Sequence, residues 1–347
     1  MYYRFLPVYN VLRELFLPSK TLDKFCIRKE IVCEASQEYM PGISMEDHYR
    51  SLVTQVVKGT TPEQQWRRAE KRMVVHEATV KFKFKNVLAT PTGFFSLDGQ
   101  HIIGKRHLIN PIFSKTIPII DKGFFASSFV TNTYFGHWLI DGIATSLLKE
   151  KDEELYLWAP PSWGHTTAYL DIFGIETIKH DYVFFKNMTF CLDRGMNTNR
   201  RARIRKLKSV ISSKSSSQKG KKVYVRRGQT GISRVINNED ALNDQLKKMG
   251  FLIIDVNAPA EEIINACSGA ELTLSIEGSN FAHLLLGATT GATHIVINPA
   301  AQFNNLLADY MIALGDTMHT VVAESEGAGY RVDIPRLTKL IENILRN

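Results

Sequence analysis

The sequence has only four cysteines in 347 residues, Cys26, Cys33, Cys191 and Cys267, with no C-x-x-C pair and no compact Cys/His cluster. A small disulfide-stapled or zinc-folded module is excluded, and the four read as reduced, mostly buried thiols. No run reaches the roughly 18–20 uncharged apolar residues that span a bilayer. The first 30 residues mix Arg4, Arg13, Glu14, Lys20, Asp23 and Lys24 through the apolar ones, so neither a signal peptide nor a membrane anchor is expected and the location implied is the cytoplasm. There is no G-x-x-x-x-G-K-[ST], and no G-x-G-x-x-G follows the first regular strand of the second half, which disfavours P-loop NTPases and nicotinamide dehydrogenases. D-x-D, H-x-H and H-E-x-x-H are missing too, and the ten histidines are scattered, so chemistry without a metal or other cofactor is expected.

Acidic residues are missing from one long stretch: Arg194 to Asn238 holds 14 of the 43 Lys and Arg and no Asp or Glu. The rest of the chain is then net acidic, although the whole is +8. That asymmetry points to one region meeting anions, such as nucleotide phosphates, an acidic glycan, anionic lipid or nucleic acid. A solvated loop is the plain alternative for the part before Lys222. Within it, Ser212 to Gly220 has the composition of a flexible linker.

With 44% hydrophobic and 22% charged residues the chain is expected to fold, and its length suggests two domains. Residues 1–212 are expected to form an N-terminal α/β domain, irregular and strand-rich over 1–120. Residues 213–221 form the basic Ser/Lys linker and 222–347 a C-terminal nucleotide-binding domain. In that domain, apolar runs predict strands near 222, 251, 271 and 293, alternating with helices near 239–249, 259–267 and 281–286. This is the pattern of a parallel, doubly wound sheet. Further helices are expected at 301–313 and 333–345. In the N-terminal half, 78–84 and 86–96 read as a hairpin or small mixed sheet, His137 onward as a helix, and 154–158, 168–173 and 182–185 as strand, helix and strand.

Ligands of doubly wound sheets bind at the carboxyl ends of the strands, against helix N-termini. Three loops qualify: Arg226-Arg227-Gly228-Gln229-Thr230-Gly231, Glu277-Gly278-Ser279-Asn280 and Asn298-Pro299-Ala300. Guanidinium forks match phosphate oxygens, which makes Arg226, Arg227 and Arg234 candidates for holding a diphosphate, with surface salt bridging as the alternative. Glu277, Gly278, Ser279 and Asn280 could hold a ribose and phosphates, or merely cap a helix. In the first half, His137 and Asp141 are four apart, which places them on one helix face as a possible imidazole–carboxylate base. A histidine satisfied by backbone, beside a solvated Asp141, fits the same spacing. Asn132, Tyr134 and Trp138 nearby are candidate sugar contacts, although an aromatic core explains Tyr134, Phe135 and Trp138 equally well.

The order His137-Trp138-Leu139-Ile140-Asp141, then Val225-Arg226-Arg227, then Arg234 through Asn238-Glu239, then Glu277-Gly278-Ser279 and a strand ending at Pro299 resembles the family 61 glycosyltransferases, the DUF563 group. The likeness covers roughly residues 75–300. It implies a GT-B-like α/β fold of two Rossmann-like domains facing a cleft. It also implies an inverting, metal-independent transfer from a nucleotide sugar, UDP-linked, to a glycan hydroxyl. In the family's pattern His137 and Asp141 are the catalytic pair, Arg226, Arg227 and Arg234 with Asn238 and Glu239 serve the donor, and the last helix crosses back onto the N-terminal domain. Glu277-Gly278-Ser279-Asn280, with His283 after it, stands where many members have an H-G-A-G-type loop. Without a leading membrane helix, the implied branch is the bacterial one of surface polysaccharide synthesis, with peripheral contact to an anionic inner-membrane surface through 194–222. A nucleic-acid-binding protein using 194–234 and a degenerate glycan-binding transferase are the rivals. The basic run lacks interleaved aromatics beyond Tyr224 and carries no reading motif, so no nucleic acid is expected. The sequence does not indicate an oligomeric state.

Overall fold

The structure, a computed structural model, describes residues 2–105, 109–213, 220–227 and 234–346. Most of the Ser/Lys linker (214–219) and the Gly228–Gly231 part of the first phosphate loop lie outside the described residues. The chain divides into two compact units: residues 1–36 with 76–204, and residues 37–75 with 205–347.

The first strand of the first unit is β1 (Arg28–Cys33). A two-stranded ribbon, β2 (Ser36–Met40) with β3 (Arg72–His76), marks where the chain leaves for the second unit and returns. The first unit's sheet then adds β4 (Thr79–Thr90), β5 (Gly93–Phe95), β6 (Gln100–Ile102), β7 (Ile119–Phe125), β8 (Glu154–Tyr156) and β9 (Val183–Leu192). Its order is β6-β5-β4-β9-β7-β8, with β1 on β4. Every pair made by β4, and β5 with β6, is antiparallel, whereas β7 runs parallel to both β8 and β9. The sheet is therefore mixed: an antiparallel half joined to a parallel βαβαβ half. The Phe82 and Phe84 that alternate with lysines on β4 bury their rings among Phe25, Phe94, Phe125, Phe185 and Phe190. The hairpin expected over 78–96 is present, closed by Gly93 at φ 139°.

In the second unit, β10 (Lys221–Arg226), β11 (Phe251–Asp255), β12 (Ala270–Ile276), β13 (Thr293–Pro299) and β14 (Thr317–Glu326) are all parallel. The short β15 (Gly329–Arg331) closes the edge antiparallel to β14. The order β11-β10-β12-β13-β14-β15 puts the reversal of winding between β10 and β12. Leu272, Leu274, Ile276, Ile295 and Ile297 make continuous apolar runs because helices cover both faces of a parallel sheet. The four expected strands and the helices Glu239–Lys248, Ala260–Cys267 and Phe281–Gly287 form as read.

Three expectations are corrected. Residues 37–75 belong to the second unit rather than the first. Tyr49 is buried in its core, Trp66 packs its ring 4.9 Å from Phe303, and Gln65 Oε1 accepts from Asn305 N at 2.7 Å. The boundary falls between Ile204 and Arg205, inside a 16-residue helix, Thr198–Ser213, rather than at the linker. The final helix, Ile334–Arg346, expected to cross back, buries Leu337 and Ile341 in the second unit's own core.

The basic segment is also less of an anion footprint than its charge implied. Arg200, Arg203 and Lys208 on the 198–213 helix are buried and paired with Asp141, Asp193 and Asp316. Three of the run's fourteen basic residues are thus charge-compensated inside the fold.

Candidate functional site

In the first unit, the segment leaving the carboxyl end of β7 carries His137. Ser128 and Thr131 form a capping box that starts the helix Phe129–Thr133, and the chain then passes through a π-helical turn, Trp138–Gly142. Such i→i+5 turns cost regular hydrogen bonding and are often found at functional sites. His137 Nδ1 lies 2.6 Å from Asp141 Oδ2, so the pair proposed from spacing is formed. Asp141 Oδ1 accepts from Arg200 Nη2 at 2.5 Å, and Arg200 Nη1 also donates to the Asp193 carbonyl. Behind it, Arg203 grips Asp193 with two bonds of 2.8 Å, and Asp193 accepts further from Thr79 and Thr145. Burial would raise the Asp193 pKa, but the Arg203 hydrogen bonds and the Arg200 charge outweigh it and hold the carboxyl below its ordinary range.

This arrangement makes the imidazole an oriented base. A carboxylate on Nδ1 fixes that nitrogen as the N–H and leaves Nε2 to take a proton. The His137 side chain is 20% exposed, Asp141 less, and Arg200 hardly at all, so the chain of groups runs from the surface inward. Tyr134, with its ring 5.9 Å from that of His137, is exposed and can meet a sugar. Asn132 is half-buried, and its Nδ2 donates to Pro91 O at 2.7 Å. Trp138 does not suit a sugar contact: its side chain is fully buried in the core, with its ring stacked on Phe135.

In the second unit, the candidates gather at the reversal between β10 and β12, as doubly wound sheets lead one to expect. Arg226 ends β10 and pairs with Glu239 at 3.0 Å, and Glu239 also accepts from the buried Tyr224 hydroxyl at 3.0 Å. Arg227 Nη1 donates to Glu277 O at 2.9 Å. Arg234 Nη1 reaches the same carbonyl and the Glu277 carboxylate, while its Nε donates to Gln302 Oε1 at 3.2 Å. Asn304 Nδ2 donates to Glu277 Oε1 at 2.9 Å. A cavity of about 170 Å³ is lined by Arg226, Arg227, Arg234, Val235, Ile236, Glu239 and Ile276. Three guanidinium groups there face two carboxylates, which leaves a net positive lining. Burial, then the neighbouring Arg234, lowers the Arg227 pKa to about 10, and an anion entering the cavity would relieve that.

Two donor-side readings change in detail. Glu277 is buried with its carboxylate engaged by Arg234 and Asn304, so it braces the arginines instead of reaching for a ribose. Asn280 is buried and donates to Ser275 Oγ and to Ile276 O at 2.9 Å, which makes it the brace of the β12 turn. Gly278 adopts φ +146°, and a Cβ there would sit 1.8 Å from Arg227 Nη1, so the loop needs glycine both for conformation and for the approach of Arg227. Ser279 is half-buried beside it. Asn238 ties Val332 by bonds of 2.8 and 3.0 Å and is structural. Sequence reasoning missed Arg200, Asp193, Arg203, Gln302 and Asn304. Only the arginines gave any signal, as members of the basic run, and nothing in the run named their partners.

Among the described residues no group of three or more His, Cys, Asp or Glu is placed to hold a metal ion. Among them, too, no helix is long and apolar enough to cross a membrane.

Fold and site together define an α/β protein with an oriented His–Asp pair on one unit and an arginine-lined strand-end cavity on the other. Residues 135–296 match the family model described as Glycosyltransferase 61, a stretch that takes in His137, Asp141, Arg226, Arg227, Arg234 and Glu277–Asn280. The resemblance carried by the motifs is thereby shown over that stretch, and it supports a glycosyltransferase. No curated protein matches the chain.

Proposed function

We propose that this protein is an inverting, metal-independent glycosyltransferase of GT-B type. It moves a hexosyl or pentosyl group from a nucleoside diphosphate sugar, UDP-linked, to a glycan hydroxyl in bacterial surface polysaccharide synthesis. The observation that carries the reading is the 2.6 Å His137–Asp141 contact, which turns a helix spacing into an imidazole aimed for proton transfer. His137 Nε2 takes the proton of the acceptor hydroxyl as its oxygen attacks the anomeric carbon. The bond from that carbon to the β-phosphate oxygen breaks on the opposite side, and its electron pair leaves with the nucleoside diphosphate. The arginine-lined cavity supplies the positive charge that a leaving diphosphate needs, a role a metal fills elsewhere. Tyr134, exposed beside the His137 ring, meets the sugar of the acceptor in this reading.

Thermal stabilisation of the protein by UDP, GDP, CMP and TDP and their sugar conjugates, with and without chelator, tests this. A ligand at 100 times its dissociation constant adds about 2.7 kcal/mol. Chelator-insensitive stabilisation by one nucleotide is the expected result, and no shift with any of them would overturn the reading.

A further inference from the structure

The N-terminal segment of the first unit carries an apolar stripe that the unit leaves uncovered. Tyr2–Phe5 is a 3-10 turn and Leu6–Glu14 a helix. One side of the helix is fixed to the unit. Leu6 is in a buried cluster with Leu88 and Phe95, Asn10 Nδ2 donates to Ser96 O at 2.8 Å, and Arg13 Nη1 donates to Asp98 O at 2.7 Å. Tyr9 and Leu12 on the helix, Tyr2 and Phe5 on the turn before it, and Leu15, Phe16 and Leu17 just after it are all exposed, Phe16 at 86%. Arg4 Nη1 donates to the carbonyls of Ile112 and Ser114, which fastens the Asn110–Phe113 turn beside this segment. That turn adds Ile109 and Phe113, the latter 77% exposed. A contiguous patch of aromatic and aliphatic side chains on a tethered helix marks a contact surface, unlike singly scattered apolar residues.

We infer that this face docks the protein on an anionic membrane surface. Residues 1–30 carry six Lys or Arg against three Asp or Glu, with Lys29 paired to Asp23 and Arg28 to Glu30. Lys20 and Lys24, which follow the helix in the chain, and Lys115, whose carbonyl accepts from Arg4 Nη2, are exposed. Aromatic and leucine side chains enter the headgroup boundary while lysines reach anionic phosphates from their flexible stems. A second copy seated on the same face would bring this positive charge against itself, which disfavours self-association. The inference does not rest on the transferase reading.

Sedimentation of the full chain with vesicles of phosphatidylcholine, with and without phosphatidylglycerol, tests it. Binding is expected only to the anionic vesicles and should weaken by about ten-fold or more in Leu12→Glu/Phe16→Glu. Both positions are exposed, so the thermal midpoint of that variant should be unchanged. Lys20→Glu/Lys24→Glu should weaken binding at low salt, with its deficit shrinking as salt rises. Three results would overturn the inference: binding unaffected by Leu12→Glu/Phe16→Glu, no binding to either vesicle, or a concentration-dependent dimer that the double substitution dissolves.

Discussion

Asp141 divides its carboxylate between two partners, giving Oδ2 to His137 Nδ1 at 2.6 Å and Oδ1 to Arg200 at 2.5 Å. The imidazole is therefore held by a group that is itself held by Arg200, which also donates to the backbone carbonyl of Asp193, whose carboxylate Arg203 grips. If His137 is the base, His137→Ala lowers turnover by about 10²–10⁴-fold and leaves nucleotide affinity unchanged. Single-turnover kinetics beside nucleotide titration separate the two, and unchanged turnover removes His137 from the mechanism.

Arg200 is a positioning residue, since it acts through Asp141. Arg200→Met takes the guanidinium from Asp141 and leaves that carboxylate with His137, which should cost about 1–3 kcal/mol of stability. The diagnostic readout is kcat, which should fall while the donor KM holds, with partial recovery in Arg200→Lys. Equal kcat in a folded Arg200→Met protein would show that Asp141 orients His137 unaided.

At the other site, Gly278→Ala forces a side chain into φ +146° and against Arg227. The backbone strain should cost about 1–3 kcal/mol, and the displaced Arg227 should weaken nucleotide binding. Arg227→Ala should weaken binding without the strain. Denaturant melts and nucleotide titrations distinguish them. Tight binding in both variants would remove Arg227 from the donor site.

Asp193 gives the pH dependence. Its folded pKa is lowered, so below the ordinary carboxylate range the unfolded chain binds more protons than the native one, and stability rises with pH there. The contribution is present above the unfolded pKa and is lost as pH falls through the folded one. Urea melts between about pH 5 and pH 2 should show a steep acid limb that Asp193→Asn flattens. An identical limb in the variant would locate the effect elsewhere.

The thiols divide as well. Cys191 and Cys267 are buried, and burial pushes both pKa values up to about 12, whereas Cys26 and Cys33 are half-buried. A thiol reagent at pH 8 should modify two cysteines in the native protein and four after unfolding, because the thiolate is the reactive form. Four fast native reactions would contradict the packing around Cys191 and Cys267.

The second unit's parallel sheet was legible because each of its early strands is a short apolar run separated from the next by a helix with its own stop, as Gly250 at φ 80° ends the helix before β11. β14 and β15 were missed: Thr317–Glu326 mixes polar and apolar residues, and its role comes from pairing with β13. In the first unit the hairpin and the strands β8 and β9 were readable, but β7 was not, and an antiparallel half that includes β1 has no local signature. For Trp138 the sequence left sugar contact and aromatic core both open, because an aromatic beside a polar helix start looks the same whether it faces a sugar or the core.

By itself the sequence determined what is local or ordered along the chain: the alternation of strand and helix, the His137–Asp141 spacing, the arginines at the end of β10 and the glycine after Glu277. Only the tertiary structure decided which charges are spent internally, that residues 37–75 join the second unit, and that Arg200 stands behind Asp141. Those facts rest on contacts between residues tens to hundreds apart, Arg200 with Asp141 and Gln65 with Asn305 among them. A buried charge must find an opposite charge wherever the fold brings one, and composition carries no record of which one that is.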